Sequence, residues 1–215
     1  MKSIFIFLFV FVSTNSIIMS QNKGFVVGTF VGFYGVHING ETGSFYSSNN
    51  GIFWGTGGYS LGLNVKHDIS KKAFLAFELR YSKKGSIYEY VSIYGTQAYE
   101  YIRLDYLALP FLIGVKLNLK NKYLIAETGF SYARLFSSKM EVDEFNNWNT
   151  DDKLNGFKQN DVSWIANLKY PIVKSKKLLL GFRFSYSLVS IHSNYKLYNM
   201  DYGVELYYLF NRKVD

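Results

Sequence analysis

The feature that most narrows what this chain can become is a two-residue alternation of apolar and polar side chains, repeated in segment after segment. Successive side chains of an extended strand point to opposite faces, so this period specifies strands with one greasy and one polar face. Eight such segments can be traced. In the seventh, Leu178, Leu180, Phe182, Phe184, Tyr186 and Leu188 share one face, and Gly181, Arg183, Ser185 and Ser187 share the other. The eighth sets Tyr198, Met200, Tyr202, Val204, Leu206, Tyr208 and Phe210 against Asn199, Asp201, Gly203 and Glu205. The third opposes Ala73, Leu75, Phe77, Leu79 and Tyr81 to Glu78, Arg80 and Ser82; the second opposes Tyr59, Leu61, Leu63 and Val65 to Ser60, Gly62, Asn64 and Lys66. The first puts Phe25, Val27, Val31 and Phe33 opposite Gly28 and Gly32, and the sixth puts Val162, Trp164, Ala166, Leu168 and Tyr170 opposite Ser163, Asn167 and Lys169. The fifth is weaker, with Leu124, Ala126, Phe130 and Tyr132 against Glu127, Gly129 and Ser131.

The fourth segment changes phase. Ile102, Leu104 and Tyr106 oppose Arg103 and Asp105, but after Pro110 the apolar set becomes Phe111, Ile113, Val115 and Leu117. One account is a β-bulge at Pro110, where an unpaired residue does not need the missing N–H. The other is two short strands joined by a kink.

Alternation alone fits a soluble sandwich as well as a membrane barrel. The connections separate the two. Short links (His67 to Lys72, Asn118 to Lys122, Pro171 to Lys177) alternate with longer ones (His37 to Gly57, Lys83 to Tyr99, Phe136 to Asn160, Ile191 to Lys196). Short turns at one end and long loops at the other are the rhythm of an outer-membrane barrel with a periplasmic N-terminus. The polar faces add a second sign. Glu78, Arg80, Arg103, Asp105, Glu127, Lys169, Arg183, Asp201 and Glu205 all lie opposite the apolar set of their own strand, with both signs present. Side chains just fill an eight-stranded barrel, and opposite charges can pair there. The expected fold is therefore all-β: an eight-stranded antiparallel up-and-down transmembrane β-barrel with a charged, side-chain-filled interior. An extra hairpin in the first two long loops would make ten strands.

Met1-Lys2 followed by the apolar run Ile4 to Val12, with Ser20 before Gln21, has the form of a secretory signal peptide. The run is shorter than the roughly 20 residues a spanning helix needs. The expected organisation is a leader over 1–20 and one barrel domain over 21–215. The absence of Cys excludes a disulfide scaffold, a thiolate metal site and a lipid-modified Cys. A hydrophobic content of 48% is too high for a disordered chain, and 19 Tyr with 19 Phe suit strands facing lipid.

The net charge of +8 raises the question of nucleic acid, but its distribution argues otherwise. Lys71, Lys72, Lys120, Lys122, Lys174, Lys176 and Lys177 fall in the three short turns, where they meet either anionic lipid headgroups or simply water. The third long loop carries Glu141, Asp143, Glu144, Asp151, Asp152 and Asp161 against Lys153 and Lys158; its spacing does not match an EF-hand calcium loop.

Two stretches carry a family resemblance: Phe77 to Ser86 (FELRYSKKGS) and Tyr101 to Leu117 (YIRLDYLALPFLIGVKL). A strand ending in tyrosine, a polar residue and a Lys-Gly pair is followed by a strand with the core Tyr106-Leu107-Ala108-Leu109-Pro110-Phe111-Leu112. The chain thereby resembles the PorT-like outer-membrane β-barrel family of Bacteroidota, from about Gly24 to Phe210. The resemblance implies an eight-stranded barrel in the outer membrane and supplies no catalytic residue and no cofactor. One member group of the family serves a protein-secretion system. The final strand, Asp201-x-Gly203-x-x-Leu206-x-Tyr208, resembles the signal read by the outer-membrane assembly machinery, although Asn211 to Asp215 extend beyond it.

Dedicated chemistry is sparse. There is no phosphate-binding glycine loop, dinucleotide fingerprint or His-Glu-x-x-His motif. His37, His67 and His192 are isolated and expected to be solvated; only His192, near Ser190 and Ser193, suggests the Ser-His chemistry of a lipid-modifying barrel. The expected role is non-enzymatic: a structural or surface-interaction barrel acting through its extracellular loops. A component of a secretion or envelope-assembly machine is the alternative, ahead of a lipid-modifying enzyme or small-solute channel. The expected partners are outer-membrane lipid and lipopolysaccharide, the assembly machinery during insertion, and envelope or secretion proteins, with no nucleic acid and no cofactor.

Overall fold

The structure, a computed structural model, describes residues 25–40, 52–91, 97–119, 122–144, 147–151, 156–173 and 177–210. The leader read at 1–20 lies outside the described residues. In chain order the strands are β1 (Phe25–Gly40), β2 (Ile52–Trp54), β3 (Thr56–Asp68), β4 (Ala73–Val91), β5 (Gln97–Leu119), β6 (Lys122–Glu144), β7 (Asn147–Asp151), β8 (Asn160–Pro171), β9 (Leu178–Ser187) and β10 (Leu197–Leu209). All neighbours are antiparallel. The sheet runs β4-β3-β1-β10-β9-β8-β6-β5, and β5 returns to pair with β4. Eight strands therefore close a barrel. The other two are short additions at its loop end, β2 on β4 and β7 on β6.

Closure fixes the stagger. Following paired residues round the ring, Val27 leads through Val65, Phe77, Phe111, Phe130, Trp164, Tyr186 and Met200 to His37, ten residues further along β1. Such a stagger on eight strands tilts them by roughly 40° to the barrel axis. On β5, Leu107, Leu109, Phe111, Ile113, Val115 and Leu117 point outward and are 40–58% exposed. Ten residue steps of about 3.3 Å at that tilt rise roughly 25 Å, the height of a membrane barrel's apolar band. Val31, Phe33, Leu61, Phe77, Phe130, Leu168, Leu180, Phe182, Val204 and Leu206 continue the band on the other strands. In water this would be a very large uncovered apolar surface.

Above the band the wall changes character. β4 continues to Val91 and β5 begins at Gln97, so much of the stretch expected as a loop between Lys83 and Tyr99 is paired strand. β6 likewise runs on to Glu144 instead of ending near Phe136. These extensions form a collar standing beyond the band.

The fourth segment shows why its phase seemed to change. β5 keeps one parity throughout: Ile102, Leu104, Tyr106, Ala108 and Leu112 are all buried inside, and the alternate residues face outward. No bulge and no kink lies at Pro110, which pairs in register with Ser131. On the β4 side the ladder is interrupted between Phe77↔Phe111 and Arg80↔Ala108, because proline offers no N–H, yet the register is the same on both sides of the gap. The irregularity is on the partner strand: Asp105 pairs with Ser137 and Tyr106 with Leu135, so Phe136 is the extra residue of a bulge in β6. The polarity of β5 inverts because its surroundings invert. Within the band, lipid lies outside and polar groups are tolerated inside; in the collar, water lies outside and the interior is apolar.

Candidate functional site

The lumen is filled in three layers. At the turn end Phe30, Phe74, Leu112, Ile125, Leu179 and Leu209 form a buried apolar cluster. At the loop end Ile38, Tyr88, Ile102, Leu104, Ile191 and Leu197 form a second. Between them lies a network of ion pairs. Lys66 Nζ is 2.9 Å from Glu127, and Lys169 Nζ is 2.6 Å from Glu127 and 3.7 Å from Glu78. Glu78 also receives Arg80 and Arg183, each at 2.9 Å. Arg80 and Arg183 in turn reach Glu205 at 2.7 and 3.9 Å. Tyr34 and Tyr207 donate short hydrogen bonds to Glu205, and Arg80 donates to Tyr34 Oη at 2.8 Å and to Ser60 Oγ at 2.7 Å. Aromatic faces complete the shell, with Arg80 4.2 Å over the Phe30 ring and Lys169 3.8 Å over the Tyr207 ring.

Four cations thus share three carboxylates. Counting Tyr34, the groups come from β1, β3, β4, β6, β8, β9 and β10, every ring strand except β5. At this height β5 contributes only Ala108 and Pro110, side chains too small to compete for the space. Gly32 has a related role: a Cβ there would lie 2.6 Å from Tyr34 Oη, so the glycine leaves room for that tyrosine to fold into the network. Ion pairs of this kind are tolerable inside a barrel because no charge is left unpaired: each of the three carboxylates meets at least two cations, and Lys66, with Glu127 as its one ion-pair partner, also lies over the Phe74 ring.

The nine charges read from the sequence separate cleanly. Glu78, Arg80, Glu127, Lys169, Arg183, Asp201 and Glu205 are buried. Six of these seven belong to the network, while Asp201 pairs nearer the loop end with Lys84 at 2.6 Å. Arg103 and Asp105 are not lumen groups. Arg103 is 46% exposed on the outer wall and pairs with Glu141 at 2.9 Å, and Asp105 accepts a hydrogen bond from Tyr81 Oη at 3.0 Å. Both belong to the collar, where water outside makes the outward face the polar one. Lys66, on the polar face of the second segment, joins the network although it is absent from the nine charges, and Tyr34 and Tyr207 join it too; the last two share the parity of Gly32 and Glu205, which is the signal in the sequence that points to them.

Asp161, counted with the acidic loop, is instead buried at the start of β8, accepting from Ser187 Oγ at 2.9 Å and Asn199 Nδ2 at 3.1 Å. Asp152 and Lys153 lie outside the described residues. Among the described residues no group of three acidic or imidazole side chains is arranged to hold a metal ion.

His192 is buried instead of solvated. Its Nδ1 accepts from the backbone N–H of Asn194 and Tyr195 at 3.2 and 3.3 Å, and its ring meets Phe157 edge-on. Gly156, at φ 100°, leaves that ring its space. Ser190 Oγ lies 2.9 Å from the carbonyl of His192 and 2.7 Å from that of Tyr195. These contacts shape the β9–β10 loop; none directs the hydroxyl at the imidazole.

A family model described as outer membrane protein beta-barrel domain matches residues 19–193. Among solved structures, the attachment invasion locus protein Ail of Yersinia pestis aligns with TM-score 0.45 at 10% identity, over 88% of this chain and 100% of that one. Neisserial surface protein A gives TM-score 0.45 at 10% identity, over 87% and 98%. OprG of Pseudomonas aeruginosa gives 0.44 at 12%, over 88% and 97%. The comparison with curated proteins produced no match.

Proposed function

This chain belongs to the outer membrane protein beta-barrel domain family, and from that membership we propose that it is a non-conducting, non-enzymatic barrel whose task is to hold a water-facing collar at the cell surface. The observation that carries this reading is the three-layer filling of the lumen, which leaves the collar as the part free to meet partners. The leader at 1–20 directs export, the short turns face the periplasm, and the loops face outward. In planar bilayers the folded chain is expected to give no sustained single-channel steps. Stable openings would require the ion-paired layer to part, and would replace the display role with transport. Maleimide labelling of intact cells at an introduced cysteine, Glu89→Cys in the collar against Lys71→Cys in a turn, tests the orientation; labelling at the turn instead of the collar would reverse it.

The absence of catalysis is tested separately. His192→Ala is expected to leave the mass spectrum of cellular lipid A unchanged relative to the parent chain, because its contacts serve loop packing. A shift in acyl composition would make His192 part of an active site.

The PorT-like reading, a component of a secretion machine, is favoured by one feature: the Tyr81-Ser82-Lys83-Lys84-Gly85 stretch joins the band to the collar on β4. Loss of secreted cargo in a deletion strain with normal envelope integrity supports it over a passive display role.

A further inference from the structure

The ladder between β3 and β4 is paired from Asp68↔Phe74 to Tyr59↔Lys83, and pairing on β4 resumes only with Trp54↔Ile87. On the β4 side Gly55, Thr56, Gly57 and Gly58 thus have only the unpaired Lys84, Gly85 and Ser86 across from them, while β1 still pairs Thr56, Gly57 and Gly58, so the wall is loosened on the β4 side alone. A cavity of about 80 Å³ opens there, lined by Gly57, Lys83, Ser86, Tyr101 and Arg103 among others. A Cβ on Gly57 would meet no heavy atom within 4 Å, and Gly85 stands directly across from Arg103, so no side chain covers the guanidinium from those positions.

The surrounding charge is positive in sum: Lys83, Arg103, Arg134 and Lys139 share this outer surface with two carboxylates, Asp105 directly across from Lys83 and hydrogen-bonded by Tyr81, and Glu141 paired with Arg103. No described residue forms an ion pair with Lys83 Nζ. Lys139 stands directly across from Arg103 and Arg134 across from Leu107 on the same outer surface.

Height identifies the anion. Lys83 lies two residues beyond Tyr81, whose partner Leu107 ends the apolar band on β5. Two residues along a strand tilted at 40° rise about 5 Å, which places Lys83 about 5 Å and Arg103 about 10 Å above the band. That is the headgroup zone of the surrounding leaflet. Just beneath, the rings of Tyr59, Tyr81 and Phe136 form a row with centroids 5.9 and 5.8 Å apart. The bulge in β6 is what turns Phe136 outward into this row.

We propose that this notch docks the phosphoryl group of a glycolipid in the surrounding leaflet, with Lys83 and Arg103 as its cationic contacts and Gly57 as its open floor. A guanidinium fork and an ammonium suit a phosphate monoester, and both cations stand on the outer wall at headgroup height. The adjacent lysines divide the work: Lys84 turns inward to Asp201 and Lys83 turns outward to the ligand.

The test uses the mature full-length chain in phosphatidylcholine nanodiscs doped with monophosphorylated lipid A, read by native mass spectrometry. Both leaflets of such discs contain the probe, so the result does not depend on how the barrel faces in the cell. Lys83→Ala is expected to weaken lipid A retention about tenfold, and Lys83→Ala with Arg103→Ala about a hundredfold. Gly57→Leu, which has room to fold, is expected to block the site, whereas Lys71→Ala at the opposite end should have no effect. Heat-modifiable gel mobility establishes that each variant is folded. Undiminished retention in the folded double variant or in folded Gly57→Leu overturns the site. Equally tight capture of soluble glucosamine 1-phosphate in undoped discs overturns its assignment to a lipid.

Discussion

Glu78→Ala is expected to lower the unfolding free energy of the barrel by about 3–5 kcal/mol, the usual cost of stranding buried charges. Glu78 is fully enclosed and holds Arg80 and Arg183 at 2.9 Å, with Lys169 at 3.7 Å. Its removal leaves four cations to share two carboxylates in a space that the apolar clusters seal from bulk water. The penalty is therefore the desolvation of unpaired cations and far exceeds the worth of a single contact. Asp105→Ala provides the contrast. Asp105 also belongs to the charge set read from the sequence, but it sits on the outer wall, where such a group contributes about 0–1 kcal/mol. Urea titration of the vesicle-folded chain, followed by tryptophan fluorescence, measures both. Equal losses for the two variants would mean that the lumen admits enough water to solvate its charges.

Leu180→Arg is expected to cost about 2–4 kcal/mol, the penalty for a cation placed on the lipid face near the midplane. Leu180 is 47% exposed and flanked on β9 by the outward Phe182, so in water the change would remove almost no packing. Only a hydrocarbon exterior makes it expensive. The same titration in lipid vesicles reads the loss. If it falls below about 0.5 kcal/mol, typical of an exposed surface change, the band faces water and the inside-out arrangement is wrong.

Much of this molecule was legible because strand parity is a local property. The partition of Leu178 through Leu188 and of Tyr198 through Phe210 into inner and outer sets follows from their order in the chain. The strand number followed in the same way, since short and long links repeat; β2 and β7 are too short to carry a readable period. Seven of the nine charges were found by that route. Arg103 and Asp105 lie outside the lumen although they oppose an apolar set, because apolar character in an alternating strand says only that a residue avoids water, and Ile102, Leu104 and Tyr106 do so by facing inward. The bulge was sought at Pro110, where local chemistry offered a reason for one. It formed at Phe136, where two paired strands had to be reconciled.

Alternation along the chain settles which side chains share a face, since neighbouring residues on an extended backbone must diverge. Whether a given face meets lipid, solvent or the filled lumen depends on its height along the barrel. That height is set by ring closure and the ten-residue stagger, which bring Lys66, Glu78, Glu127, Lys169, Arg183 and Glu205 to one level and lift Arg103 above the apolar band. Those are relations between segments far apart in the chain, and no local pattern encodes them.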